Sequence, residues 1–181
     1  AAINASLAGV VEAAIESGRV GAVIGARLGI EGLLGRQFVD LRAQDPGIWP
    51  LIRRTPSAAL GSCRRKLRVE ERAAVIEVLR GISARYFLYI GGNDSADTAL
   101  GLQEEAGRQG YDLQVVSVPK TIDNDLPGTD HCPGFGSAAR YICQSKQDAD
   151  MATEAMRLRD PTKGIEEMGS EAGGVEDARI M

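Results

Sequence analysis

Within six residues of "PKTIDND", Lys120, Thr121, Asp123 and Asp125 gather an ammonium, a hydroxyl and two carboxylates. That set suits phosphoryl transfer. A carboxylate near a hydroxyl can take its proton as the oxygen attacks phosphorus, which typically contributes about 10²–10⁴ in rate. The attacked phosphate is an anion, so cations are needed opposite; Lys120 and a magnesium ion (Mg2+) would supply them. In an extended segment residues two apart share a face, so Asp123 and Asp125 are expected to point the same way. One then serves as base while the other orients water or metal. The alternative reading of the segment is a plain loop closed by capping aspartates.

A second dense stretch is "YIGGNDSADT", a strand, a glycine pair, an acid and a helix start. Gly91 and Gly92 let a backbone approach a phosphate, and the following helix offers free N–H groups and its positive dipole end. Asn93 and Asp94 can hold magnesium through oxygen or bound water. An ordinary strand-to-helix turn capped by Asp94 or Ser95 fits the same letters. The stretch is neither G-x-G-x-x-G nor a P-loop. The basic run Arg64, Arg65, Lys66 and Arg68 reads as a solvated face, and the single histidine, His131, as a loop hydrogen-bonding group.

Several elements must position these residues. Ile3, Leu7, Val10, Val11, Ala14 and Ile15 form the apolar stripe of a helix over 3–17, which Gly18 is placed to end. "VGAVIGA" (20–26) predicts a short buried strand, followed by a loop punctuated by Gly25, Gly29 and Gly32. A helix is expected over 69–80 and strands over 85–90 and 113–118, with a helix between them and another from about 136 to 159. Trp49 reads as a packed loop anchor. Helices alternating with apolar strands indicate βαβ units on a parallel sheet, where ligands sit beyond the carboxyl ends of the strands. Both dense stretches fall there.

Composition narrows the classes. The 181 residues are 44% hydrophobic and 25% charged, values of an ordinary globular chain. A net charge of −4 gives no footprint for nucleic acid. No apolar run reaches the roughly 18 residues of a membrane span. Three cysteines and one histidine form no zinc constellation, and the expected setting is reduced and cytoplasmic.

"GGNDS", "PKTIDND", "GTDHCPGFGSAARY" and "LGSCRRKL" together resemble the 6-phosphofructokinase family, in its pyrophosphate-dependent branch. The resemblance runs from Ala2 to about Gly173. It implies a three-layer Rossmann-like parallel sheet flanked by helices, and transfer of a phosphoryl group from pyrophosphate or ATP to the 1-hydroxyl of fructose 6-phosphate, with magnesium, in glycolysis. Asp123 matches the family's general base and Thr121 a hydroxyl that contacts substrate, with Asp125 the second aspartate of the catalytic loop. Gly91, Gly92, Asn93, Asp94 and Ser95 match the phosphate and magnesium loop, and Arg64 an arginine that reaches the transferring phosphates. Met168 and Gly169 match the start of a sugar-phosphate motif, Met-Gly-Arg. Homo-oligomers are expected from the same resemblance.

The resemblance also suggests the donor. ATP-dependent members usually carry glycine where Asp94 and Lys120 stand. A carboxylate at 94 would face a nucleotide's α-phosphate, a repulsion of about 4 kcal/mol at 4 Å and an effective dielectric near 20. Lys120 would balance a bare pyrophosphate.

Three departures accompany the match. The family's opening strand and first Gly-Gly loop are expected ahead of Ala2 and its second domain after Met181, so 1–181 reads as a single donor-binding domain. Asn93 stands where a magnesium-binding aspartate is common. Ser170 stands where the motif has arginine, and one lost charge-assisted hydrogen bond costs roughly 1.5–3 kcal/mol. A catalytically impaired fragment or a regulatory subunit that binds phosphate ligands or a partner is therefore the alternative function.

Overall fold

The computed structural model describes residues 2–159, which fall into two units, Ala1–Ser137 and Ala138–Met181. The first unit opens with α1 (Ala2–Glu16), which buries Leu7, Ala8 and Val11, the stripe its sequence predicts. Gly18, at φ +63, follows the helix end.

The next stretch departs from expectation. Only Ile24–Ala26 of the predicted strand forms β1, and it pairs antiparallel with β2 (Phe38–Asp40) instead of joining a parallel sheet. Between them the expected glycine loop is a short helix, α2 (Gly29–Leu34). Its Gly32 is required by contact, because a Cβ there would lie 1.5 Å from the carbonyl oxygen of Arg27. Trp49 is buried, in the first turn of α3 (Ile48–Arg54) and not in a loop.

A 3₁₀ turn (Val69–Glu71) leads into α4 (Arg72–Gly81). A βαβ unit then follows: β3 (Tyr86–Gly91), α5 (Asn93–Arg108) and β4 (Gln114–Pro119). The two strands pair in parallel from Tyr86↔Gln114 to Gly91↔Pro119. Successive side chains of a strand face opposite sides, so β3 joins two cores. Phe87 packs against Ile30, Ile76, Leu79, Leu102 and Leu113, a cluster built on α2, α4 and α5. Ile90 packs against Leu7, Val11, Leu41 and Trp49 on the α1 and α3 side. Burying a side chain such as Leu102 completely contributes about 1.5–3 kcal/mol. Helices thus cover both faces of a parallel pair, the expected α/β Rossmann-like arrangement.

The remaining helix, α6 (Phe135–Arg159), carries surface pairs such as Lys146–Asp150 four residues apart. No helix among the described residues is long and apolar enough to cross a membrane.

Candidate active site

Both dense stretches leave the carboxyl ends of β3 and β4, side by side. Gly91 ends β3 and must be glycine, since a Cβ would lie 2.1 Å from the Ser95 hydroxyl oxygen. Gly92, not Ser95 or Asp94, is the cap residue of α5, and no side chain caps it. Its carbonyl accepts the N–H groups of Ser95 at 3.0 Å and Ala96 at 3.1 Å. This backbone closure leaves the side chains of residues 93–95 available for other partners. Burial pushes the nearby Tyr89 phenol above its ordinary range.

From β4 the chain runs through Lys120, whose N–H donates to the Gly91 carbonyl at 2.7 Å and extends the parallel ladder by one bond. Thr121 is buried, with its N–H on the Pro133 carbonyl at 2.9 Å, and it bridges to Gly134. Beyond it the extended geometry expected for the two aspartates fails, because Asn124 adopts φ +55. Its side chain pays back that left-handed turn by stapling the loop: Oδ1 accepts from the Cys132 N–H at 2.9 Å, and Nδ2 donates to the Asp130 carbonyl at 3.0 Å.

The turn sends the two carboxylates to different surroundings. Asp125 Oδ2 accepts from Asn93 Nδ2 at 2.7 Å, tying the catalytic-type loop to the glycine loop across 32 residues. Donation from Asn93, and then from the Thr121 hydroxyl, holds the Asp125 carboxyl below its ordinary range. Asp123 is exposed. Its N–H donates to Thr121 Oγ1 at 3.0 Å, while its carboxylate has no hydrogen bond or ion pair among the described residues.

Gly91, Gly92, Asn93, Lys120, Thr121 and Leu126 line one small cleft. Lys120 is half-buried there, and its ammonium carries no partner among the described residues. Arg64 is exposed on the neighbouring segment with its guanidinium likewise unpartnered, and it does not line the cleft. Met168, Gly169 and Ser170 lie outside the described residues.

The basic run is more than the solvated face its sequence suggested. Arg65 and Arg68 both grip Glu71, whose carboxyl is pulled down to about 2, chiefly by the Arg68 side chain and then by the Arg68 N–H. Lys66 instead reaches Asp94 at the start of α5, 3.0 Å from one carboxylate oxygen and 3.1 Å from the other. Asn93 and Asp94, adjacent in sequence and expected to share a metal, therefore engage different groups. His131 makes its hydrogen bond to Thr129 through its backbone N–H, as a loop residue, and its ring lies beside Phe135.

A family model described as Phosphofructokinase matches residues 1–175. The chain belongs to the phosphofructokinase family. It is 43% identical, over 98% of its length, to a pyrophosphate–fructose 6-phosphate 1-phosphotransferase of Methylococcus capsulatus. It is 45% identical, over 96% of its length, to the protein of that name in Xanthomonas campestris. A solved pyrophosphate-dependent phosphofructokinase from Nitrosospira multiformis superposes with a TM-score of 0.78 at 46% identity, covering 86% of this chain and 40% of that one. The chain spans 44% and 42% of the two curated relatives. In this phosphofructokinase-family chain, the glycine loop and the "PKTIDND" loop are in register on neighbouring parallel strands.

Proposed function

We propose that residues 1–181 form the donor-binding part of a pyrophosphate-dependent 6-phosphofructokinase, a glycolytic enzyme that phosphorylates the 1-hydroxyl of fructose 6-phosphate. The observation that carries this reading is the 2.7 Å hydrogen bond from Asn93 to Asp125. It brings a phosphate-type glycine loop beside the loop that carries Asp123, whose exposed carboxylate lies outside the cleft lining, with Lys120 among the residues that line the cleft. Such a set can bind an anion and deprotonate an alcohol beside it.

Asp123 is the base in this reading. Its carboxylate is uncommitted, so it can accept the proton of the sugar hydroxyl without breaking a structural bond. Lys120 balances the charge of the donor phosphates. The Gly92 backbone and the first N–H groups of α5 receive a phosphate oxygen. Thr121 lines the cleft, where its hydroxyl is placed to contact the substrate, and it also holds the Asp123 backbone.

Magnesium fits the donor set. Asn93 Oδ1 and the Asp125 carboxylate offer only oxygen, while Asp94 is taken by Lys66, and no group of three His, Cys, Asp or Glu side chains gathers among the described residues. Magnesium typically takes one or two carboxylates and completes its shell with water and phosphate oxygens. When bound it would spread the negative charge that builds on the transferring phosphoryl group.

The test is donor preference in the complete polypeptide, with magnesium and fructose 6-phosphate present. Pyrophosphate is expected to be consumed in preference to ATP. Equal or faster turnover with ATP would defeat the donor assignment, and pyrophosphate binding without any turnover would favour the phosphate-binding alternative.

A further inference from the structure

We propose that Lys66 is a positioning residue of the donor site, which acts by balancing the charge of Asp94. This rests on the reading above that Asp94 faces the phosphoryl donor. The ammonium lies within 3.1 Å of both oxygens of the carboxylate, on a segment 28 residues away in sequence. The neighbouring cations are otherwise disposed: Arg65 and Arg68 are held by Glu71, and Arg64 has no partner among the described residues. Lys66 is therefore the one member of the basic run that meets an acid of the glycine loop.

The chemistry follows from sign. A bare carboxylate at the start of α5 would repel pyrophosphate as well as a nucleotide, and would offset the attraction of Lys120 and the helix N-terminus. With Lys66 seated on it, the pair has no net charge, and a compact dianionic or more highly charged diphosphate can approach Gly92. Lys66 thus lets the site keep this acid without losing pyrophosphate. Both side chains are mostly exposed, 77% and 71%, so the balance operates in high dielectric and is sensitive to salt.

The experiment uses the complete polypeptide with magnesium pyrophosphate as the probe, measured by calorimetry and by KM. Lys66→Met is expected to weaken pyrophosphate binding by at least about fivefold, the effect of one unit charge at contact distance under full water screening. The loss should fall on pyrophosphate KM more than on kcat and shrink as ionic strength rises. Lys66→Arg should restore binding, and Asp94→Asn added to Lys66→Met should recover most of the loss. Unchanged affinity in Lys66→Met, or no recovery when Asp94→Asn is added to it, overturns the inference while leaving the enzyme reading intact. A wild-type protein that neither binds nor consumes pyrophosphate overturns the enzyme reading itself, and the inference falls with it.

Discussion

Adding one methyl group to each glycine of the Gly91-Gly92 pair should separate a structural glycine from a functional one. A Cβ at Gly91 would sit 2.1 Å from Ser95 Oγ and 2.6 Å from Ser95 Cβ. Ser95 belongs to the first turn of α5 and its Cβ as well as its hydroxyl stands in the way, so rotation alone does not clear the clash. Overpacking of this kind costs about 1–3 kcal/mol, and for a domain of this size each kcal/mol lowers Tm by roughly 2–4 °C. A Cβ at Gly92 meets only the Lys120 carbonyl oxygen at 3.5 Å, an ordinary contact, and φ there is −87, which any residue adopts. Gly91→Ala is therefore expected to lower Tm by several degrees, and Gly91→Ala with Ser95→Gly to recover most of the loss. Gly92→Ala should melt like the wild type, yet raise the pyrophosphate KM by about tenfold, because its methyl group fills the approach to the backbone. Thermal unfolding and donor kinetics on the same samples provide both readings. If Gly92→Ala melts as low as Gly91→Ala, or keeps wild-type affinity for pyrophosphate, the assignment of the second glycine to phosphate contact is refuted.

Two further perturbations follow from the partners seen at each acid. Asp123→Asn should lower turnover by about 10²–10⁴ while leaving Tm and pyrophosphate affinity unchanged, since the carboxylate supports no other group; retention of most of the rate would place the base elsewhere. Glu71, with its folded value pulled down to about 2 from 4.5, contributes stability that is complete above pH 4.5 and lost as pH falls toward 2. The difference in Tm between wild type and Glu71→Gln should be present at neutral pH and close over that interval. A gap that persists at the acid end would show that the two arginines do not depend on the charge.

Long patterns were legible in the sequence, and short ones were not. The helix of α1, the strands β3 and β4, and the helix between them each repeat an apolar period often enough to be read, so the βαβ unit and the placement of both loops at strand ends followed. The three-residue strands β1 and β2 contain less than two periods, and α2 is a single turn and a half whose glycines mimic a loop. Nothing local distinguishes an antiparallel ribbon there from a strand of the main sheet. Lys66 was missed for a different reason. Its partner lies 28 residues away, and only the packing of the chain decides which lysine of a basic run meets which acid. Asn124 was legible in principle, because asparagine tolerates a left-handed backbone better than its neighbours Asp123 and Asp125 and can hydrogen-bond to the loop it turns.

The asparagine at 93 is the residue whose meaning changes most between sequence and structure. Judged only as a metal ligand, an amide in place of a carboxylate is a weakness. In the folded chain its Nδ2 donates to Asp125, and a carboxylate at 93 has no hydrogen to give at neutral pH. Two acids at that distance would repel unless a cation stood between them, so the loops would meet only when metal was bound. The amide lets the glycine loop and the "PKTIDND" loop close on each other without a metal, and in the proposed reading its oxygen is left for magnesium. In that reading the amide exchanges ligand strength for preorganisation of the proposed base relative to the donor.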